Sequence, residues 1–142
     1  MDNTRAAVIG FSHGGDAAVK ASQPASGMKA LGLRAAVAYY PPCDRRGEPE
    51  NPDIPLLLFA AEKDTWTPAI FCKDYEMQIR NSTSGTQQRV RTEFVYYPQA
   101  LHGFDGAGSY RVVAGHAMAY DPIAAQDSFQ RTRKWLDEML TR

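Results

Sequence analysis

A serine between two glycines is the first feature of the sequence that could carry chemistry. The stretch Gly10-Phe11-Ser12-His13-Gly14 fits G-x-S-x-G, in which a sharp turn between a strand and a helix presents a serine hydroxyl as a nucleophile. The pattern predicts that side chains at Gly10 and Gly14 would collide with the neighbouring strand and helix. Alone, the motif is weak, because a glycine-rich turn after a strand needs no catalytic role.

An acidic residue further along the chain has the chemistry to support such a serine. Asp64 follows an apolar run and could orient and charge-stabilise an imidazole. An acidic residue at this kind of position is more often a helix cap or a solvated charge. Glu62 is the competing carboxylate, but it lies closer to the end of the run and has less reach.

The base that such a serine requires is predicted to be His102, in a loop after another apolar run. A lone loop histidine is usually a surface residue. The chain has three histidines, however; His13 is inside the serine turn and His116 follows no apolar run. The order Ser12, Asp64, His102, each after a different run, predicts a catalytic triad.

Four apolar runs must supply the strands that position these residues: Ala6 to Phe11, Leu33 to Tyr40, Pro55 to Ala61 and Thr92 to Tyr97. The first three are apolar without alternation, which is typical of strands covered on both faces in a parallel sheet. The segments from Pro41 to Pro55 and from Asn81 to Gln88 are rich in turn-forming residues and predict loops.

Helices are predicted between the runs. One follows Ser12, from about His13 to Ala21, and a second begins at Thr67-Pro68, with the stripe Phe71, Tyr75 and Ile79. A third begins at Asp121-Pro122, and its predicted face consists of Ala125, Phe129, Leu136, Met139 and Leu140. The alternation predicts an α/β fold with its chemistry beyond the carboxyl ends of the strands.

Composition excludes several classes of protein. Sixteen acidic residues balance sixteen basic ones among 142 residues, which argues against nucleic-acid or anionic-membrane partners. No apolar stretch is long enough to cross a bilayer, and the start lacks the features of a signal peptide, so the sequence as given predicts a cytoplasmic protein. The two cysteines lack zinc-site spacing, and we expect neither a metal nor an organic cofactor.

Together the motifs resemble the dienelactone hydrolase family of α/β hydrolases. The resemblance rests on A-V-I-G-F-S-H-G-G, E-K-D-T-W-T-P-A, Y-Y-P-Q-A-L-H-G-F-D and Y-D-P-I-A-A, which span the chain from Arg5 to the final helix. It implies a truncated α/β-hydrolase fold of about four mainly parallel strands, equivalent to the family's fifth to eighth, flanked by helices. Residues 1–142 are then a single partial domain whose amino-terminal half is absent. Well-known members use cysteine where this chain has Ser12, which implies esters or lactones other than dienelactone.

The function expected from the predicted triad and from the family resemblance is ester or lactone hydrolysis through an acyl-enzyme. The backbone N–H of His13 supplies one oxyanion donor, while the second normally comes from a loop after the third strand, so the activity is expected to be weak. Aromatic residues at the strand ends could line the substrate pocket, although such residues are more often core: Phe11, Tyr40, Trp66 and Phe104. The alternative is a non-catalytic half-domain that associates with itself or with a separate amino-terminal half.

Two further expectations concern associations within and between chains. Cys43 and Cys72 are predicted to lie within bonding reach, as a disulfide or a reduced pair, while two buried free thiols are about as plausible. A disulfide would suggest an exported parent protein whose signal peptide was lost with its amino-terminal half. The strand Ala6 to Phe11 is expected at an open sheet edge, which predicts a homodimer formed through it.

Overall fold

A four-stranded parallel sheet organises the fold. The structure, a computed structural model, describes residues 4–44, 50–82 and 89–141. The elements in chain order are β1 (Ala6–Phe11), α1 (His13–Ala21), a 3-10 turn (Pro24–Ser26), β2 (Leu33–Tyr39), β3 (Leu56–Ala61), α2 (Ala69–Asn81), β4 (Thr92–Tyr97), β5 (Arg111–Val113), β6 (His116–Met118) and α3 (Pro122–Leu140). The main sheet has the order β1-β2-β3-β4, with every neighbouring pair parallel. The predicted α/β fold is confirmed; of the two predicted loops, residues 45–49 and 83–88 lie outside the described residues.

Alternate residues of the central strands build two apolar clusters, one on each face of the sheet. Ala36 and Leu58 pack with α1 and α2 on one face, and Val37 and Phe59 pack with α3 on the other. Because β2 and β3 are covered on both faces, nearly every residue in them is buried and apolar. Among the described helices, none is long and apolar enough to span a membrane.

The outer strand β1 is the exception to this burial. In the described part of the chain it pairs only with β2, and Ile9 and Phe11 are 42% and 44% exposed. The prediction that this apolar run is covered on both faces is therefore wrong. Ala7 and Val8 still pack against the two apolar clusters, so β1 is covered only in part at the edge of the sheet.

The helix bounds agree with the sequence better than the predicted helix faces do. Helix α2 begins one residue later than predicted, at Ala69, and buries Ala69, Cys72 and Tyr75. Of the predicted stripe, Tyr75 is buried and Ile79 packs against the core, as predicted, whereas Phe71 is 41% exposed. Cys72, which is bonded to Cys43, is buried beside them.

The carboxyl-terminal helix α3 starts where the sequence predicts. Asp121 accepts hydrogen bonds from the N–H groups of Ile123 and Ala124, as an N-cap residue does. Phe129, which was predicted to face the core, is 50% exposed. Ala125 is buried and Leu136 and Met139 pack against the core, as predicted. The buried residues of the helix are mostly small or polar, together with one tryptophan: Ala124, Ala125, Ser128, Thr132 and Trp135.

A short antiparallel hairpin, β5 with β6, was not predicted. Its turn places Ala114 and Gly115 at φ values of 52° and 83°, the pair of positive values found in a tight two-residue hairpin turn. An Ala-Gly pair lacks the Asn-Gly or Asp-Gly signal of such turns. The hairpin joins the loop after β4 through a β-bridge between Met118 and His102.

A disulfide between Cys43 and Cys72 connects the loop after β2 to the first half of α2. Their Cα atoms are 5.0 Å apart, and the prediction that the sulfurs lie within bonding reach is confirmed.

Candidate active site

The turn between β1 and α1 holds Ser12 in an unusual backbone conformation. Its φ is 54° and its ψ is −118°, a region that residues with a side chain rarely adopt. The N–H of Ser12 donates to the carbonyl oxygen of Tyr39 at 2.9 Å, and the carbonyl of Ser12 accepts from the N–H of Asp16. Both ends of the turn are therefore fixed, one to β2 and one to α1.

The glycines around Ser12 differ in how much space a side chain would have at their positions. A Cβ at Gly10 would lie 1.8 Å from the carbonyl oxygen of Gly14, and a Cβ at Gly15 would lie 2.8 Å from that of Tyr39. A Cβ at Gly14 would meet nothing within 4 Å. The expectation for Gly10 is confirmed, whereas the one for Gly14 is wrong: the second required glycine is Gly15, where α1 crosses the end of β2.

A buried hydrogen bond joins the predicted acid and base. His102 Nδ1 lies 2.7 Å from Asp64 Oδ2, and the two residues are 3% and 4% exposed. An ionised carboxylate is only an acceptor, so Nδ1 carries the proton and donates it to Asp64. In the neutral ring, Nε2 then keeps the lone pair with which a general base takes a proton.

Four donors surround the carboxylate of Asp64. The N–H groups of Trp66 and Thr67 donate to Oδ1 at 2.7 and 2.9 Å, and the Thr67 hydroxyl and His102 donate to Oδ2. Burial by itself would raise the pKa of Asp64, but the hydrogen bonds from His102 and Thr67 outweigh burial and hold it below its usual value. The competing carboxylate, Glu62, is exposed and pairs with Lys73.

The topology brings Ser12 to the same edge of the sheet as this pair, because β1, β3 and β4 are parallel. The ring of Tyr40 neighbours residues on both sides: its centroid is 6.4 Å from that of Phe11, which precedes Ser12, and 4.6 Å from that of His102. Among the described residues, no group forms a hydrogen bond with Ser12 Oγ. His13 is the first residue of α1, so its N–H has no acceptor within the helix.

The four aromatic residues predicted to bind substrate separate into two pairs. Phe11 and Trp66 are 44% and 36% exposed at the strand ends. Tyr40 is 7% exposed and donates its hydroxyl to Asp105 at 2.7 Å; burial first, and then Asp105, raise the pKa of this phenol. Phe104 has no exposed surface and packs in the core with Tyr40; its contact with substrate stays a prediction.

Two neighbours of the site were not predicted. His116 stacks on Trp66 with ring centroids 5.1 Å apart, and the ring of His102 is tilted against Trp66, also at 5.1 Å. The Thr67 hydroxyl contacts the Asp64–His102 pair, although the sequence indicated only a helix cap. Among the described residues, no group of three or more His, Cys, Asp or Glu is arranged to hold a metal ion.

Comparison with known proteins shows which solved structures are similar to this fold. No curated protein sequence matches the chain. A dienelactone hydrolase-like promiscuous phosphotriesterase from metagenomic libraries superposes with a TM-score of 0.73 at 22% identity, over 98% of this chain and 54% of that one. A carboxylesterase from Lactobacillus plantarum gives 0.66 at 18% identity, over 97% and 60%. An esterase 2 from Thermogutta terrifontis, phosphorylated by paraoxon, gives 0.63 at 18% identity, over 93% and 53%.

These neighbours share the α/β fold, and the chain spans between 53% and 60% of their length. The sequence match is more specific than the structural one. The family model described as "Dienelactone hydrolase family" matches residues 1–140, nearly the whole chain. The chain therefore belongs to the dienelactone hydrolase family.

Proposed function

We propose that this chain is a serine hydrolase that cleaves an ester or a lactone through an acyl-enzyme intermediate. One observation carries the proposal: the buried hydrogen bond between His102 Nδ1 and Asp64 Oδ2, at the sheet edge that also bears the Ser12 turn. Membership of the dienelactone hydrolase family supports the hydrolase class.

In the first half of the proposed reaction, Ser12 Oγ attacks the carbonyl carbon while His102 Nε2 takes the hydroxyl proton. The C–O bond to the leaving group then breaks, and the leaving alkoxide takes the proton from His102. Water attacks the acyl-enzyme with His102 again as base, which releases the acid and restores Ser12. Asp64 keeps the proton on Nδ1 and stabilises the transient imidazolium.

Stabilisation of the oxyanion limits the rate expected of this chain. The N–H of His13, at the amino-terminal end of α1, is one suitable donor. In the complete α/β-hydrolase fold, the second donor comes from the loop after that fold's own third strand, which is not β3 of this chain. This chain spans only about half the length of its structural neighbours. Lack of one donor costs about a hundredfold or more in rate, so we propose slow turnover for the chain alone.

The exposed aromatic residues indicate the class of substrate. Phe11 and Trp66 present apolar ring surface at the strand ends, which favours a neutral ester or lactone with an apolar acyl group. No cofactor takes part in the proposed reaction.

Labelling of Ser12 tests the proposal directly. The chain is incubated with a fluorophosphonate and, separately, with paraoxon, and modified peptides are identified by mass spectrometry. We expect modification at Ser12, its loss in Ser12→Ala and His102→Gln, and its retention in Ser109→Ala, which removes an exposed serine. A sample with native circular dichroism that stays unlabelled after prolonged exposure contradicts the proposal.

A second candidate function is a non-catalytic half-domain that associates through β1. Ile9 and Phe11 support it, because they are exposed on a strand whose outer side pairs with none of the described strands. A folded chain that associates but is not labelled at Ser12 is the result that favours this function over hydrolysis.

A further inference from the structure

The hydroxyl of Thr67 occupies the junction of three strand ends. Its Oγ1 lies 2.9 Å from the carbonyl oxygen of Tyr40, 2.7 Å from Asp64 Oδ2 and 3.2 Å from His102 Nδ1. Thr67 is only 5% exposed, so solvent does not compete for these contacts. One side chain therefore connects the end of β2 to the loops that follow β3 and β4.

Helix capping does not account for this hydroxyl. Helix α2 begins at Ala69, its N-cap residue is Pro68, and no side chain caps it. The proton of Thr67 is shared between the Tyr40 carbonyl and the Asp64 carboxylate, while its lone pair accepts from the Nδ1–H of His102. All the contacts of the hydroxyl are thus directed at the acid–base pair and the strand end beside it.

The strand end that Thr67 contacts is itself unusual. Tyr40 has a φ of 36°, which residues with a side chain rarely adopt, and its ring lies against that of His102. The hydrogen bond from Thr67 fixes the carbonyl of this residue, and the N–H of Tyr40 donates to Phe59 at 2.7 Å. Thr67 therefore holds both the acid that orients the imidazole and the residue on which the imidazole packs.

We propose that Thr67 is a positioning residue: its hydroxyl fixes Asp64 and the ring of His102, with the proton on Nδ1, in position relative to the end of β2. The consequence for catalysis rests on the proposed hydrolase function, whereas the consequence for the proton on Nδ1 does not. Without the hydroxyl, Asp64 Oδ2 loses one of its hydrogen-bond donors, and the Nδ1–H of His102 has one hydrogen-bond acceptor instead of two.

Three variants isolate the hydroxyl. Thr67→Val removes it with little change of volume, and Thr67→Ser retains it. Thr132→Val is the matched control, because Thr132 is also buried and its Oγ1 makes a 2.9 Å hydrogen bond with the Tyr39 hydroxyl, away from Asp64.

The first readout needs no activity. We expect a low-field imidazole N–H proton resonance in the wild-type chain, assigned to His102 by its absence in His102→Gln. It should persist in Thr67→Ser and Thr132→Val, and in Thr67→Val it should shift or be lost to solvent exchange. An unchanged resonance in a folded Thr67→Val overturns the proposal, whether or not the chain hydrolyses any ester.

The second readout is the steady-state kinetics of p-nitrophenyl acetate hydrolysis. For Thr67→Val we expect kcat to fall about tenfold with KM within about twofold, because the imidazole is then held less firmly in the orientation that the reaction requires. Thr67→Ser should restore kcat. A Thr67→Val variant with wild-type kcat, or a loss that Thr132→Val reproduces, contradicts a positioning role. If Ser12 is not labelled and the wild type has no activity, the proposed function fails, and the resonance alone decides the role of Thr67.

Discussion

The backbone N–H of Ser12 donates a 2.9 Å hydrogen bond to the carbonyl oxygen of Tyr39. This contact fixes the first residue beyond β1 to the last residue of β2, while Ser12 keeps a φ of 54°. Such a conformation costs about 1–3 kcal/mol in a residue with a side chain. The turn therefore carries strain at the residue proposed as the nucleophile.

Replacing Ser12 by glycine should relieve this strain. Glycine adopts a positive φ freely, whereas alanine keeps the Cβ and the strain. We expect Ser12→Gly to exceed Ser12→Ala in free energy of unfolding by about 1 kcal/mol, measured by urea denaturation, with neither variant labelled by fluorophosphonate. Equal stability of the two variants would show that the conformation of Ser12 is unstrained.

The glycines around the turn should differ sharply in their tolerance of alanine. Gly14→Ala meets no neighbouring atom and replaces a helical glycine, so we expect a gain of about 0.5–1 kcal/mol. Gly10→Ala would place a Cβ 1.8 Å from a backbone oxygen and should prevent native folding. Thermal unfolding followed by circular dichroism measures both, and a loss of stability in Gly14→Ala contradicts the open space at that position.

The lowered pKa of Asp64 predicts a specific acid sensitivity. A carboxylate whose folded-state pKa lies below its unfolded value contributes stability that is present above the unfolded value of about 4. That contribution is lost as the pH falls through the folded-state value. We expect Asp64→Asn to be less stable at pH 7 and to lose less stability between about pH 5 and 2, as measured by urea midpoints. Asp74→Asn, which removes an exposed charge on α2, controls for net charge; identical pH slopes in wild type and Asp64→Asn contradict the prediction.

Reduction of the Cys43–Cys72 disulfide should destabilise the chain. The residues are 29 apart in sequence, and a closed loop of this length stabilises by roughly 3–4 kcal/mol through the unfolded state. We expect dithiothreitol to lower the midpoint of thermal unfolding and to leave the Cys43→Ala/Cys72→Ala double variant unaffected. Mass spectrometry after alkylation checks the bond itself, and two alkylated thiols in the untreated chain would contradict it. Disulfides are typical of proteins in oxidising compartments.

The open edge of β1 predicts a homodimer. The strand is apolar, exposes Ile9, and carries no charged residue between Ala6 and Phe11. We expect light scattering at micromolar concentration to give twice the mass of the chain, and Ile9→Lys to give a monomer. Ile70→Lys alters an equally apolar, exposed position on α2 and should leave the dimer intact. A folded wild-type monomer at that concentration contradicts this prediction.

Residues whose pattern is local were predicted well from the sequence. The bounds of β1, α1 and β4 follow directly from apolar runs and turn residues. The Asp64–His102 pair was predicted because parallel strands bring residues that follow them to a common edge.

The features that were missed depend on tertiary contacts. Thr67 next to a proline has the local pattern of a helix cap, and only the packing of the strand ends directs its hydroxyl to Asp64. The exposed face of β1 depends on the position of the strand in the sheet. The β5–β6 turn uses Ala114 where the recognisable signal is asparagine or aspartate.

The β5–β6 hairpin has a consequence for how the chain can diversify. It is anchored beside the site at one end, through the bridge of Met118 to His102, while Val113, next to the turn at the other end, is exposed. Residues added at the Ala114–Gly115 turn would extend the hairpin away from this anchor and leave His102 in place. The hairpin turn is thus a place where insertions can add new surface to the protein without a change to the acid–base pair.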